Sequence, residues 1–130
     1  MARILIAEDE DALRDLLRRA LVEAGHSVST AADGAEALDV LVQEAGAFEL
    51  LLADIKMPVM DGIALALAAA RDFPAVTVLL MTGYADQRER ASGLDALIHG
   101  IVAKPFSLDE IKSEVAAALA AGAARGARPG

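Results

Sequence analysis

The chain has 130 residues with 55% apolar content, the length of one domain with material for a core, which excludes a disordered polymer. A formal net charge of −8 argues against non-specific binding to nucleic acid or to an anionic membrane surface, and points to acidic clusters that hold cations. The absence of cysteine excludes disulfides and thiolate metal sites and fits a reducing, cytoplasmic setting. No apolar run approaches the roughly 18 residues of a membrane span, and Met1-Ala2-Arg3 lacks the features of a secretory signal.

Arg3 to Ala7 reads as a first strand, apolar throughout its centre and so covered on both faces. After Glu8-Asp9-Glu10-Asp11, the residues Leu13, Leu16, Leu17, Ala20, Leu21 and Ala24 recur at helical spacing, with Gly25 placed as the cap. Ser27 to Ala31 is a more polar strand, expected near a sheet edge. Asp33-Gly34 starts a second helix with Ala37, Leu38, Leu41 and Val42 turned inward. Glu49 to Ala53 is the third strand, and it leads straight into Asp54. Residues 55–61 read as a loop, and Gly62 to Arg71 as a helix ended before Pro74. Val76 to Met81 is a fourth strand. Asp86 to about Ser92 is read as a short solvated helix containing Arg88-Glu89-Arg90. Ile98 to Ala103 is a fifth strand interrupted by Gly100. Ser107-Leu108-Asp109-Glu110 has the spacing of a capping box and opens a last helix that buries Ile111, Val115, Ala118 and Leu119. From Gly122 the chain loses periodicity, and residues 122–130 are expected to be a disordered tail. The core must be built from Leu, Ile, Val, Ala and Met, because the aromatic side chains are only Phe48, Phe73, Tyr84 and Phe106.

Regular alternation of strand and helix predicts an α/β fold with a parallel sheet covered on both faces, and ligands then bind at the carboxyl ends of the strands. The residues at those ends carry chemistry. Strand one ends in Glu8-Asp9, strand three in Asp54, strand four in Thr82 and strand five in Lys104-Pro105. Each has a plainer use alone: helix-start charge, a cap, a turn, a solvated strand end. Together they form a pocket of carboxylates, a hydroxyl and an ammonium. Carboxylates so placed repel unless protonated or joined by a cation, and oxygen donors alone favour Mg²⁺, with Mn²⁺ able to substitute. Such a pocket suits a phosphoryl group, toward which an Asp carboxylate is a competent nucleophile that yields an acyl phosphate.

The stretches Ile4-Leu5-Ile6-Ala7-Glu8-Asp9-Glu10, Leu52-Ala53-Asp54-Ile55-Lys56-Met57-Pro58, Met60-Asp61-Gly62, Met81-Thr82-Gly83 and Lys104-Pro105-Phe106 resemble the receiver domain of two-component response regulators over about residues 2–121. The resemblance implies a doubly wound, CheY-like (flavodoxin-like) five-stranded parallel sheet of order 2-1-3-4-5 flanked by five helices, with the receiver domain at residues 1–121. It implies that Asp54 accepts phosphate from a histidine kinase or histidine phosphotransfer protein, and that the chain is a phosphoacceptor rather than an enzyme with a separate substrate. Mg²⁺ would be bound by Asp9 and Asp54 directly, by Glu8 through water and by the backbone carbonyl of Lys56. Thr82 and Lys104 would read the phosphoryl group. The peptide before Pro105 would be cis.

Two positions depart from the family pattern. Glu8 stands where Asp is more usual. Ile101 stands where many members carry a switch Tyr or Phe, and an aliphatic side chain cannot reproduce an aromatic ring that swings inward. Lys56 and Tyr84 are expected on the rim of the pocket. His26 and His99 begin strands, away from that rim, and read as surface or capping residues. The residues after 121 are too few for an output domain, so output is expected through binding of another protein or onward phosphotransfer. Met1-Ala2-Arg3-Ile4-Leu5 and the Leu52-to-Gly62 stretch resemble the single-domain CpdR type, which implies a protease complex as downstream partner. A competing reading is a metal-dependent phosphatase with Asp54 as nucleophile. Against it, Lys56 occupies the place where haloacid-dehalogenase-like enzymes carry a second acid.

Overall fold

The computed structural model describes residues 1–83 and 91–126. Strand and helix alternate as β1 (Arg3–Ala7), α1 (Asp11–Glu23), β2 (Ser27–Ala31), α2 (Gly34–Gln43), β3 (Leu50–Asp54), α3 (Gly62–Asp72), β4 (Thr77–Thr82), β5 (Gly100–Ala103) and α4 (Leu108–Gly126). All neighbouring strands are parallel, in the order β2-β1-β3-β4-β5. The more polar β2 is an edge strand, as its composition predicts.

The strands alternate sides with period two and so build two cores. Leu5, Ala7, Leu51, Ala53, Val78 and Leu80 face one way, onto Ala37 and Leu41 of α2 and Leu65, Ala66 and Ala69 of α3. Ile4, Ile6, Leu50, Leu52, Leu79 and Met81 face the other, onto Leu17 and Leu21 of α1 and Ile111, Val115 and Ala118 of α4. Every residue of β3 is buried, and each Leu there contributes roughly 1.5–3 kcal/mol by leaving water. The register aligns the strand ends: Ala7 lies beside Ala53, Asp54 beside Met81, and Thr82 beside Ala103.

The turn chemistry matches the residues. Gly25 sits at φ 97° and closes α1 with N–H bonds from Gly25 to the Val22 carbonyl (2.9 Å) and from His26 to the Leu21 carbonyl (3.1 Å). Asp33 caps α2 by accepting from the Glu36 amide at 2.8 Å. The capping box of α4 is formed: Ser107 Oγ accepts from the Glu110 amide at 3.0 Å, and Glu110 Oε1 accepts from the Ser107 amide at 3.4 Å. The Lys104–Pro105 peptide is cis, as the family resemblance implies.

Several boundaries differ from the sequence reading. β3 runs Leu50–Asp54 rather than Glu49 to Ala53, so Asp54 is its last residue, paired in register with Met81. β4 extends to Thr82, whose carbonyl accepts the Lys104 amide at 2.7 Å. β5 starts at Gly100 rather than Ile98. Four α-helices are found among the described residues where five were expected. Most of the helix expected over Asp86 to Ser92, with Arg88-Glu89-Arg90, lies outside the described residues; a 3-10 turn at Ser92–Leu94 follows.

The tail expected from Gly122 is corrected in its first part, because α4 continues to Gly126. Gly122 supplies the reason. A Cβ there would overlap Thr77 Oγ1, so the glycine lets the helix close onto the start of β4. Arg125, one turn on, donates from Nη2 to Thr77 Oγ1 at 2.7 Å. The alanines around it favour helix intrinsically. Composition suggested a tail because the glycine reads as a breaker when its packing partner is out of view.

Arg125→Ala is expected to cost about 1 kcal/mol, because the buried Thr77 hydroxyl loses a charged donor. In a Thr77→Val background the same change should cost nothing further, as read by denaturant unfolding of the four variants.

Candidate functional site

Three strand ends converge above the sheet. Glu8 directly follows β1, where its amide donates to the Ala31 carbonyl at 3.1 Å, and it is only 1% exposed. Asp54 ends β3 and is 6% exposed. Lys104 follows β5. Its ammonium donates to Glu8 Oε1 at 3.0 Å and to Asp54 Oδ2 at 2.9 Å, spanning the two acids. Glu8 Oε2 in turn accepts from the Glu10 amide at 3.0 Å. Asp9 is exposed beside them, and the carboxylate oxygens of Glu8, Asp9 and Asp54 lie within 4.8 Å of one another. These groups line a cavity of about 700 Å³ together with Lys56, Gly83 and Pro105.

The loop after β3 is held by glycines that composition alone does not single out. The Gly62 amide donates to the Ile55 carbonyl at 2.8 Å, and a Cβ on Gly62 would run into the backbone carbonyl of Asp54. The Gly34 amide donates to the Met60 carbonyl at 3.1 Å, again with no room for a Cβ. Asp61 caps α3 through a 2.8 Å bond from the Ala64 amide. Between these anchors the Met60 amide reaches back to the Pro58 carbonyl at 2.7 Å, and Val59 is left at φ 69°. That conformation is strained for a β-branched residue. The available signals were the two Asp-Gly pairs, Asp33-Gly34 and Asp61-Gly62, which mark helix starts but do not reveal what presses on the glycines.

Other expected residues are placed as follows. Thr82 ends β4 and is buried, directly before Gly83 of the cavity lining. Lys56 is on the rim, and Tyr84 lies outside the described residues. Ile101 is half-buried on β5 and lines a separate groove with Asp109, Glu110 and Glu114. His26 is a capping residue at the far end of the sheet, its Nδ1 accepting from the Ala2 amide at 3.2 Å. His99 sits at the start of β5, its amide on the Val78 carbonyl at 2.7 Å. The sequence reading missed Arg14 of α1, whose Nη1 donates to the Glu8 carbonyl at 2.9 Å.

Burial pushes the Glu8 carboxyl above its ordinary value; the neighbouring Asp54 charge adds to this, and the Glu10 amide and Lys104 oppose it. For Lys104, burial acts downward, but hydrogen bonds to Asp54 and Glu8 outweigh it and raise the ammonium above its ordinary value. Glu8, Asp9 and Asp54 lie about the Lys104 ammonium, so these four groups together retain negative charge for a cation. Its donors are oxygens only, which fits Mg²⁺ or Mn²⁺ and not a thiolate-seeking metal.

A raised Lys104 stabilises the fold fully below the ordinary lysine value of 10.5, and this contribution is lost as pH rises through the folded value. Lys104→Met, which keeps the apolar stem, should therefore cost about 2 kcal/mol near neutral pH in metal-free buffer. The gap to wild type should narrow as pH falls through the raised Glu8 value, where that acid becomes neutral and no longer needs the ammonium. Thermal melts across pH check this. Gly62→Ala should cost about 2 kcal/mol, because the added methyl meets the Asp54 carbonyl rather than a yielding side chain. Denaturant unfolding reads that loss.

Residues 4–116 match the family model described as response regulator receiver domain. Among curated proteins, the response regulator MprA of Mycobacterium avium is 35% identical over 117 residues, covering 90% of this chain and 50% of the relative. The transcriptional regulatory protein TcrA of Mycobacterium tuberculosis is 37% identical over 109 residues, covering 84% and 42%. The chain thus spans about half the length of the curated relatives it matches. Among solved structures, a CheY-like receiver domain protein from Methanospirillum hungatei superposes with a TM-score of 0.87 at 29% identity, covering 96% of this chain and 98% of that one. TrrA from Thermotoga maritima, solved in complex with Mg²⁺ and BeF, superposes with a TM-score of 0.80 at 31% identity, covering 91% and 99%. The matched family spans the sheet, the acidic cluster and Lys104, and the chain belongs to the response regulator receiver domains of two-component systems.

Proposed function

We propose that the chain is a phosphoacceptor switch, with Asp54 taking a phosphoryl group from the phosphohistidine of a histidine kinase or histidine phosphotransfer protein. The observation that carries this reading is the Lys104 ammonium lying between Glu8 and Asp54, with the Asp9 carboxylate alongside. In the transfer an Asp54 oxygen attacks phosphorus, the phosphorus–nitrogen bond of the donor breaks, and an acyl phosphate forms. Lys104 exchanges its bond to Asp54 for one to a phosphoryl oxygen, and the Thr82 hydroxyl donates to another. Asp9, Asp54 and the Lys56 carbonyl would hold Mg²⁺, or Mn²⁺ in its place, with Glu8 acting through water, and the ion would offset charge on the phosphoryl oxygens. Water later attacks phosphorus, the phosphorus–oxygen bond to Asp54 breaks, and inorganic phosphate leaves with the Asp54 carboxylate restored, so the chain catalyses its own loading and unloading and turns over no separate substrate.

Phosphorylation adds about −1.5 to −2 charges at the strand ends. Thr82 and Lys104 move to meet them and bias the adjoining surface between two states. Ile101 has no ring to swing, so the change is read through the backbone around those two residues. The readout is binding of another protein, and the CpdR-like stretches favour a protease complex as that partner.

With Mg²⁺ and a small phosphodonor such as acetyl phosphate, intact mass spectrometry should find one phosphoryl adduct on the wild-type chain and none on Asp54→Asn. Steady turnover of unrelated phosphoesters would instead mark a phosphatase, and no Mg²⁺-dependent adduct would sink the phosphoacceptor reading.

A further inference from the structure

The proposed cation ligands Glu8 and Asp9 are adjacent in sequence and share one peptide unit. Its orientation decides whether their two carboxylates reach the same point. The Glu8 amide is fixed to the Ala31 carbonyl at 3.1 Å, but that bond lies on the strand side of the pair. On the far side, the Glu8 carbonyl accepts from Arg14 Nη1 at 2.9 Å. The same guanidinium uses Nη2 to pair with Asp11 Oδ1. Arg14 is anchored at its own backbone, where its amide donates to the Glu10 carbonyl at 2.9 Å. Its side chain is 21% exposed, whereas those of Arg18 and Arg19 on the same helix, paired with Asp15, are 43% and 70% exposed. One side chain therefore grips the turn between β1 and α1 at the carbonyl that separates the two acids.

We propose that Arg14 is a positioning residue for the cation site: it fixes the Glu8–Asp9 peptide so that both carboxylates converge with Asp54 before any ion arrives. Groups that orient metal ligands through hydrogen bonds typically account for 10–100-fold of metal affinity. The inference rests on the phosphoacceptor reading for the identity of the ion and adds a residue to it.

The sign of the effect separates this role from simple electrostatics. Arg14 is a cation near a cation site. Through its field alone, removing it should tighten ion binding. Through positioning, removing it should weaken binding.

The test is titration of Mn²⁺, followed by the paramagnetic resonance of the free ion, on the wild-type chain and on Arg14→Ala, Arg14→Lys, Arg18→Ala and Asp9→Asn, each first shown to be folded by its melting curve. Arg14→Ala should bind about tenfold more weakly. Arg14→Lys should recover part of that loss, because an ammonium reaches the carbonyl but cannot hold Asp11 with the same fork. Arg18→Ala removes equal charge and should bind as well as wild type or slightly better. Unchanged or tighter binding by Arg14→Ala, with binding lost in Asp9→Asn, would overturn this inference and leave the phosphoacceptor reading standing. Absence of Mn²⁺ binding by the wild-type chain would overturn both.

Discussion

An ammonium held between two buried carboxylates is the constraint to which the rest of the molecule answers. Lys104, Glu8 and Asp54 come from positions 104, 8 and 54 of the chain and meet within hydrogen-bond distance. Glu8 and Asp54 are almost wholly removed from water, where isolated charges are costly. The lysine offsets part of that cost for both acids, and the Glu10 amide helps hold Glu8. Two acids share one cation, and a third, Asp9, lies alongside. A receiver domain needs that imbalance, because a site satisfied internally has no reason to take up an ion or a phosphoryl group.

The sheet makes the convergence possible. Parallel strands of matched register end on one rim, and the chain returns to the opposite end between them, through α1, α2 and α3 for the first three connections. The strand interiors are selected for apolar residues on both faces, so the first position free to be polar is the last residue of a strand or the one after it. Chemistry therefore collects at one end. The backbone anchors at Gly34, Gly62 and Arg14 then convert a set of nearby side chains into a site with set distances.

Much of this could be read before any coordinates. Apolar runs such as Ile4-Leu5-Ile6 and Leu50-Leu51-Leu52 announce doubly covered strands, and the polar residues that follow them announce the rim. Asp33, Asp61 and the Ser107–Glu110 box work as caps because capping depends on residues only a few positions apart. What escaped depends on contacts distant in sequence. Gly122 looks like a helix breaker until Thr77 is seen against it. Gly34 looks like a helix start until the Met60 carbonyl is seen where its side chain would be. Arg14 looks like one of several surface arginines on α1, since nothing local distinguishes it from Arg18. The strain at Val59 follows from anchors on either side of it, and its own identity, a residue that disfavours positive φ, points the other way.

The burial of β3 has a directional consequence. Leu50 to Ala53 are sealed above and below by the two cores and flanked laterally by β1 and β4. The Asp54 carboxylate, at the end of that strand, is only 6% exposed and reaches solvent through the cavity it shares with Glu8, Asp9 and Lys104. An in-line displacement at phosphorus puts nucleophile and departing group on opposite sides of the atom. On the phosphoacceptor reading, a donor reaches Asp54 through that cavity, so its leaving nitrogen would point back toward solvent.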